Sequence, residues 1–202
     1  MDPTPAADAH TAGAPPPLAL VGMPGSGKST VGRQLARALR WDFVDSDHEI
    51  EQAIGGSIRD YFAAHGEAAF RDLEQQTVAA LSARRGLVLA TGGGSVLREA
   101  NREALHQHCH VVYLRSTPEE LFRRLRHDTT RPLLQVKDPL KRLRELYRER
   151  DPLYRATAHF TIDTGRPSVP TLVNMILMQL ELAGLIDPSQ VPATVGRVLP
   201  PA

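Results

Sequence analysis

Short apolar runs alternate with longer segments of helical periodicity along this chain. Apolar runs bounded by turn-forming residues predict buried strands, and their alternation with helices is typical of a parallel sheet covered by helices. The strands predicted in this way are 18–21, 41–45, 86–91, 110–114 and 159–163. We therefore expect the α/β class, with a central five-stranded parallel sheet in a three-layer α/β/α arrangement.

Helical periodicity predicts the segments between these strands. Thr117 is followed by Pro118 and two glutamates, which is typical of a helix start because the hydroxyl caps an N–H and acidic groups favour the positive end of the helix. The predicted helices are 28–39, 57–84 with an interruption near Gly66, one beginning after Thr117, 139–150 and 168–183.

Composition divides the chain into one domain and two ends. Residues 1–17 are rich in alanine and proline, which bury too little apolar surface to offset the entropy of ordering, so they predict a disordered tail. Residues 184–202 predict a C-terminal tail, and 18–183 form the expected domain. Within it, the polar and basic stretch 127–138 breaks the helical pattern and predicts a mobile lid.

Charge and cysteine content exclude several classes of protein. The 202 residues carry a formal net charge of +1, so no overall field recruits nucleic acid or an anionic membrane. There is no signal-like N-terminus and no apolar run long enough to span a bilayer. The single cysteine, Cys109, is typical of a reducing compartment. We expect a cytoplasmic protein, monomeric, with a small-molecule substrate.

The stretch GMPGSGKST, at 22–30, matches the phosphate-loop pattern G-x-x-x-x-G-K-S/T between a predicted strand and a predicted helix. Glycines let the backbone N–H groups converge on a phosphate, and the helix adds its positive end. Lys28 is expected to contact the β- and γ-phosphates, and the Ser29 hydroxyl to bind Mg²⁺. The expected ATP-binding residues of the loop are Gly25, Ser26, Gly27, Lys28, Ser29 and Thr30. The alternative is an ordinary glycine-rich turn.

Two carboxylates follow the second predicted strand, in DFVDSD. Asp45 and Asp47 would lie at the carboxyl end of that strand, where ligands bind in open α/β sheets. We interpret Asp45 as a ligand of Mg²⁺, directly or through water, and Asp47 as the catalytic residue that orients an attacking hydroxyl. The alternative is a helix N-cap made by Ser46 or Asp47.

Three histidines and the only cysteine are close together in HQHCH, at 106–110. This stretch lies at a helix-to-strand junction, away from the carboxyl edge of the sheet, and no second group completes a zinc-like ligand set. We therefore assign it a structural or surface role.

Six motifs occur in a defined order: GMPGSGKST, the DSD pair, FRDLE at 70–74, TGGGS at 91–95, RPLL at 131–134 and RDPLY at 150–154. Together they resemble the shikimate kinases over about residues 18–183. The resemblance implies a P-loop fold like that of nucleoside monophosphate kinases. It also implies transfer of a phosphoryl group from ATP, with Mg²⁺, to the 3-hydroxyl of shikimate, in chorismate and aromatic amino acid biosynthesis.

On the acceptor side, the resemblance implies that Arg71 and Arg150 hold the substrate carboxylate, which suits a guanidinium fork. Glu74 would support Arg71, and Asp47 would contact the substrate hydroxyls. The glycine motif would let the substrate ring approach the backbone and would supply an N–H from its second residue. Its members are Gly92, Gly93 and Gly94.

On the nucleotide side, the resemblance implies that the lid residue Arg131 covers the phosphates and stabilises charge on the transferred group. Arg124 would stack near adenine, although other arginines of RRLRHDTT are alternatives. Arg166 would contact adenine from the loop after the fifth strand, where the expected proline is shifted to Pro167 or Pro170.

Each of these residues also has a simpler interpretation taken singly. Arg71 with Glu74 fits an ordinary surface ion pair, and the three glycines fit a strand-to-helix turn. Two other functions remain as alternatives: a kinase for another polyol acid such as gluconate, and a ligand-sensing domain of a transcription regulator. The second would carry a helix-turn-helix upstream, and 17 tail residues are too few for one.

Overall fold

The computed structural model describes residues 14–126 and 136–187, and its centre is a five-stranded sheet in which every pair is parallel. The spatial order is β2-β3-β1-β4-β5. The strands are β1 Leu18–Val21, β2 Asp42–Asp45, β3 Leu87–Ala90, β4 His110–Arg115 and β5 Phe160–Asp163. This parallel sheet, with helices on both faces, confirms the predicted α/β class and its three layers.

Helices connect the strands, as parallel pairing requires. They are α1 Lys28–Leu39, α2 Ser46–Ile54, α3 Ile58–Ser82, α4 Glu99–His108, α5 Pro118–Leu125, α6 Pro139–Thr157 and α7 Val169–Leu182, with a short 3₁₀ turn at Ser95–Leu97. Within the described ranges, no helix is both long and apolar enough to cross a membrane.

Two apolar cores, one on each face of the sheet, make the three layers. Alternate residues of a strand point to opposite faces, so Leu18 and Leu20 pack with α1 and α7. Ala19 and Val21 face the other core, which contains side chains from α3, α4, α5 and α6. The three central strands, β1, β3 and β4, are buried on both sides, which explains why their sequences are continuous apolar runs.

The strand register brings the predicted chemistry to one edge. Ala90 at the end of β3 pairs with Leu20 of β1 on one side and with Asp45 of β2 on the other. Three segments therefore leave the sheet side by side: the phosphate loop, the start of α2 and the glycine turn at 91–94. All lie at the carboxyl edge, where open α/β sheets bind ligands.

The structure differs from the sequence prediction at two helices. Helix α2 was not predicted, and α6 runs to Thr157 rather than ending at Arg150. Pro152 lies inside α6, where it removes one backbone N–H, and burial of Tyr154 in the core offsets that loss. The predicted interruption at Gly66 is present, with φ 81°. Thr117 caps α5 in a full capping box with Glu120.

The ends of the domain make backbone contacts beyond the predicted limits. The Pro15 carbonyl accepts from Gly86 N–H at 2.9 Å, and the Pro17 carbonyl accepts from His110 N–H at 2.8 Å. After α7, Leu185 N–H donates to Leu180 O at 2.9 Å. Most of each predicted tail and most of the predicted lid lie outside the described residues, so those domain boundaries stay predictions.

Candidate functional site

The phosphate loop has the backbone shape that the glycine pattern predicts. Gly25 and Gly27 have φ values of 83° and 95°, a left-handed region that favours glycine. Helix α1 begins at Lys28, so the N–H groups of its first turn and its positive end lie at the phosphate loop. The Lys28 ammonium lies along the loop and donates to the carbonyls of Gly22 and Met23 at 2.8 and 2.9 Å.

A cavity of about 410 Å³ opens beside this loop. Among the residues of the loop predicted to bind ATP, Gly25, Gly27, Lys28, Ser29 and Thr30 line it. Ser26 does not; its side chain is buried, and its Oγ has no hydrogen-bond partner among the described residues. The other lining residues are Pro24, Asp45, Asp47, Thr91, Gly93 and Leu125. The phosphate loop and two of the predicted acceptor residues, Asp47 and Gly93, therefore line one cavity.

Asp45 joins the phosphate loop to α2. The Ser29 hydroxyl donates to Asp45 Oδ2 at 2.5 Å, and Asp47 N–H donates to Asp45 Oδ1 at 3.1 Å. The second bond makes Asp45 the N-cap of α2, a role that sequence reasoning offered as the alternative for Ser46 or Asp47. The Asp45 carboxylate thus caps the helix and still faces the cavity, so the two interpretations are compatible.

Asp47 lies in the first turn of α2, partly buried. Burial raises the pKa of Asp47 to about 6; the nearby Asp45 carboxylate acts in the same direction, and the Lys28 ammonium opposes it. A carboxyl with a pKa near neutrality is suited to accept a proton from a hydroxyl.

The glycine turn after β3 makes room for side chains of the protein itself. A Cβ on Gly92 would lie 2.4 Å from Asp47 Oδ1, one on Gly93 would lie 2.7 Å from the Pro24 ring, and one on Gly94 would lie 2.6 Å from Arg71 Nη1. Each glycine is therefore required by a different neighbour. The prediction that the glycines also admit a substrate remains a prediction.

Arg71 and Arg150 converge on this turn although they are far apart in the sequence. Arg71 Nη1 pairs with Glu74 Oε2 at 2.6 Å, and its guanidinium fills the space beside Gly94. Arg150 Nη1 donates to the Gly93 carbonyl at 3.1 Å. Arg150 Nε is buried without a partner among the described residues. Arg71 Nε and Nη2 also donate to Glu67 Oε1, at 3.4 and 3.3 Å. Both guanidinium groups therefore lie beside the same turn.

Glu74 is buried beneath this pair, with 1% of its surface exposed. Burial raises the pKa of Glu74, and the positive charges of Arg71 and Arg150 oppose that rise. Its bond to Arg71 fixes the guanidinium plane, so Arg71–Glu74 is more than the surface pair that spacing alone would suggest.

The residues predicted for the nucleotide base do not line this cavity. Arg124 donates from Nη1 to the hydroxyls of Ser116 and Thr164, each at 3.3 Å, and from Nη2 to the Thr164 carbonyl, which ties the ends of β4 and β5 together. Arg166 is exposed in the loop after β5. Arg131 lies outside the described residues. The predicted roles of Arg124 and Arg166 at the adenine, and of Arg131 at the phosphates, stay predictions.

The HQHCH stretch packs at the opposite edge of the sheet. The His106 and His159 rings stack 4.4 Å apart, and His106 Nδ1 donates to the Thr157 carbonyl at 3.0 Å. Cys109 is buried, and burial raises its thiol pKa to about 11. These contacts give the stretch a packing role in joining α4, α6 and β5.

Sequence reasoning missed the residues that hold the glycine turn in place. Ser46 Oγ accepts from Gly92 N–H at 3.0 Å, and the Ser95 hydroxyl donates to the Gly92 carbonyl at 2.8 Å. The Tyr154 hydroxyl donates to the Gly93 carbonyl at 2.5 Å. Each of the three lies in a motif of the sequence: Ser46 in DSD, Ser95 in TGGGS and Tyr154 in RDPLY. Tyr154 also lies four residues after Arg150, and so on the same helix face.

A parallel sheet carries a phosphate loop at its carboxyl edge, two carboxylates line the same cavity, and two arginines converge on the adjoining glycine turn. Together these features define a P-loop kinase of small molecules. A sequence model of the shikimate kinase family matches residues 24–181. The chain belongs to the shikimate kinase family.

Relatives and solved structures agree with this membership. The shikimate kinase of Paracidovorax citrulli is 61% identical over 173 residues, covering 84% of this chain and 94% of its own. That of Ralstonia nicotianae is 52% identical over 178 residues, covering 88% and 94%. The structure of the shikimate kinase from Acinetobacter baumannii in complex with shikimate has a TM-score of 0.79 and 46% identity, covering 85% of this chain and 96% of its own.

Proposed function

We propose that this protein transfers the γ-phosphoryl group of ATP to the 3-hydroxyl of shikimate, giving shikimate 3-phosphate and ADP in the route to chorismate and aromatic amino acids. The observation that supports it most is the convergence of Arg71 and Arg150 on the Gly93–Gly94 turn, which Asp47 also contacts through the space at Gly92. A forked pair of cations beside a carboxylate suits a substrate that carries one carboxylate and several hydroxyls.

In this proposal the phosphate loop binds ATP, and the carboxylate of shikimate lies between the two guanidinium groups. Lys28 leaves the loop carbonyls for the β- and γ-phosphates when they are present, because a phosphate is a better partner for an ammonium than a neutral carbonyl. Asp47 orients the 3-hydroxyl and accepts its proton. Catalysis then consists mostly of positioning and of neutralising charge, with Arg131 adding a cation from the lid.

The residues present fit Mg²⁺, which takes oxygen ligands. The Ser29 hydroxyl and the Asp45 carboxylate meet beside the phosphate loop, with both oxygens at the cavity wall. Ser29 and Asp45 are the residues that would hold the ion. When bound, it would neutralise charge on the β- and γ-phosphates. We also propose that Arg124 and Arg166 contact the adenine, and that the protein is a cytoplasmic monomer that binds neither nucleic acid nor a membrane.

The proposal is tested by following ADP release from ATP and Mg²⁺ with shikimate, with gluconate and with no acceptor. We expect ADP release to depend on shikimate, and gluconate to leave it at the level without acceptor, since gluconate offers an open chain instead of a ring. Lys28→Ala serves as the inactive control for contaminating kinases. ADP release that is independent of shikimate, or that prefers gluconate, would contradict the proposal.

A further inference from the structure

The side chain of Tyr154 is fully buried, yet its hydroxyl reaches the functional site. The hydroxyl donates to the Gly93 carbonyl at 2.5 Å, across 61 residues of sequence. Burial raises the pKa of Tyr154, so the hydroxyl keeps its proton and stays a donor at working pH. Burial explains why the Tyr154 hydroxyl has a hydrogen-bond partner. It does not explain why that partner is a carbonyl of the glycine turn.

Tyr154 and Arg150 share this carbonyl. They are four residues apart on α6 and so lie on one face of the helix, and a carbonyl oxygen has two lone pairs for two donors. The two bonds fix the peptide plane between Gly93 and Gly94 to α6. Since the peptide unit is planar, they also fix the direction of the Gly94 N–H.

The preceding peptide plane is fixed separately. The Gly92 carbonyl accepts from Ser95 N–H at 3.1 Å and from the Ser95 hydroxyl at 2.8 Å, which orients the Gly93 N–H. Ser95 therefore holds one half of the turn and α6 holds the other. A glycine turn has little intrinsic conformational preference, so it depends on such external bonds for a single shape.

We propose that Tyr154 is a positioning residue of the acceptor site: with Arg150 it fixes the Gly93 carbonyl, and so holds both the Arg150 guanidinium and the glycine turn in the geometry that receives shikimate. This inference rests on the proposed function. Without the hydroxyl, the flexible Arg150 side chain is the remaining donor to Gly93 O, and binding the substrate carboxylate competes with that bond.

Tyr113 offers a matched control. It is also fully buried, its ring stacks on that of Tyr154 at 5.0 Å, and burial raises its hydroxyl pKa as well. Its hydroxyl donates to Asp151 Oδ1 at 2.8 Å, away from the glycine turn. Tyr154→Phe and Tyr113→Phe thus remove the same atom from neighbouring rings, and only the first touches Gly93.

The test compares steady-state kinetics of the two variants with the wild type. Tyr154→Phe is expected to raise the KM for shikimate about tenfold, while kcat and the KM for ATP stay within about twofold. Both variants are expected to lower the Tm by similar amounts, because each removes one buried hydrogen bond. Tyr113→Phe is expected to leave both KM values within about twofold. An unchanged shikimate KM in Tyr154→Phe, or an equal rise in Tyr113→Phe, overturns the proposal.

A second readout does not depend on the reaction. Hydrogen exchange of the backbone amides in 91–97 should be faster in Tyr154→Phe than in the wild type, and unchanged in Tyr113→Phe, because only the first variant loosens the turn. If the wild type shows no shikimate-dependent ADP release, the proposed function fails. Exchange at 91–97 then decides by itself whether Tyr154 holds the turn, and equal exchange in Tyr154→Phe and wild type overturns the inference.

Discussion

Asp47 is the residue whose chemical state depends most on its surroundings. Its pKa is raised from 3.8 to about 6 by burial, with Asp45 adding to the effect. A carboxyl with a raised pKa costs stability when ionised, so the cost is complete above about pH 6 and absent below the unfolded pKa. The difference corresponds to about 3 kcal/mol, an order-of-magnitude figure. The folded protein would therefore be more stable with an uncharged group in place of the Asp47 carboxylate.

Replacing Asp47 with asparagine separates these two consequences. Asp47→Asn should lower kcat by at least about a hundredfold, since it removes the proton acceptor, while ATP binding survives. The same variant should raise the Tm by several degrees at about pH 7.5, and the gain should vanish towards pH 4, where the wild-type carboxyl is protonated. Coupled assays and thermal melts at the two pH values measure both effects.

Asp42→Asn is the matched control for this variant. Asp42 is exposed at the start of β2, and its contact with Arg84 is long, at 3.8 Å. Its replacement should change neither turnover nor the pH dependence of the Tm. Near-normal turnover in Asp47→Asn would refute the assigned catalytic role, and a Tm gain that persists at low pH would refute the burial argument.

At the scale of elements, the glycine turn works because three neighbouring elements insert side chains into it. Gly94 is the clearest case: its φ of −97° is open to any residue, so only the space beside it requires glycine. A Cβ there would lie 2.6 and 2.7 Å from the two terminal nitrogens of Arg71. Helix α3 thus delivers Arg71 to its position only if the turn has no side chain at 94.

Gly94→Ala should therefore displace the Arg71 guanidinium without straining the backbone. We expect the shikimate KM to rise tenfold or more, in the same direction as Arg71→Ala, with the ATP KM within about twofold. Steady-state kinetics with each substrate varied will measure both. Gly56→Ala is the control, because a Cβ there has nothing within 4 Å. A Gly94→Ala protein with wild-type shikimate KM would show that Arg71 does not bind the substrate.

At the scale of the whole molecule, the carboxyl and amino edges of the sheet carry different groups of polar residues. The carboxyl edge carries the site, and the amino edge carries the histidine contacts that join distant helices. His159 Nδ1 accepts from Val111 N–H at 3.0 Å while its ring stacks on His106. Burial lowers the pKa of His159, and His106 and His110 act in the same direction. The fold therefore favours the neutral ring, which keeps an acceptor for Val111.

This contact should make stability depend on pH. A histidine whose pKa is lowered by folding contributes fully above about pH 6.5, and the stability falls as the pH drops through that value. His159→Asn keeps an acceptor near the Nδ1 position but cannot bind a proton. Its Tm should fall less than that of the wild type between about pH 7.5 and pH 5.5. A Tm decline in His159→Asn equal to that of the wild type would contradict this pH dependence. The control is His108→Asn, which replaces an exposed side chain and should leave the decline unchanged.

Local sequence patterns predicted most of the strands and helices. Strand β1 and helix α1 have the bounds that the apolar pattern predicts, since buried strands and a helix that begins inside a phosphate loop are specified by adjacent residues. The Thr117 cap is likewise a contact within one turn. The sequence offered a helix start at Ser46 or Asp47 only as an alternative, and no range followed for α2. The N-cap is Asp45, whose carboxylate both caps the helix and accepts from the Ser29 hydroxyl.

What the sequence by itself determined is the five strands, most of the helices, the phosphate loop and the motif order that indicates the family, because each rests on residues close together in the chain. What only the tertiary structure decided is how distant residues meet. Tyr154 and Gly93, or Arg71 and Gly94, come into contact through the packing of α6 and α3 against the sheet. Such contacts have no local spacing to reveal them, since they depend on strand order, register and the shapes of both cores.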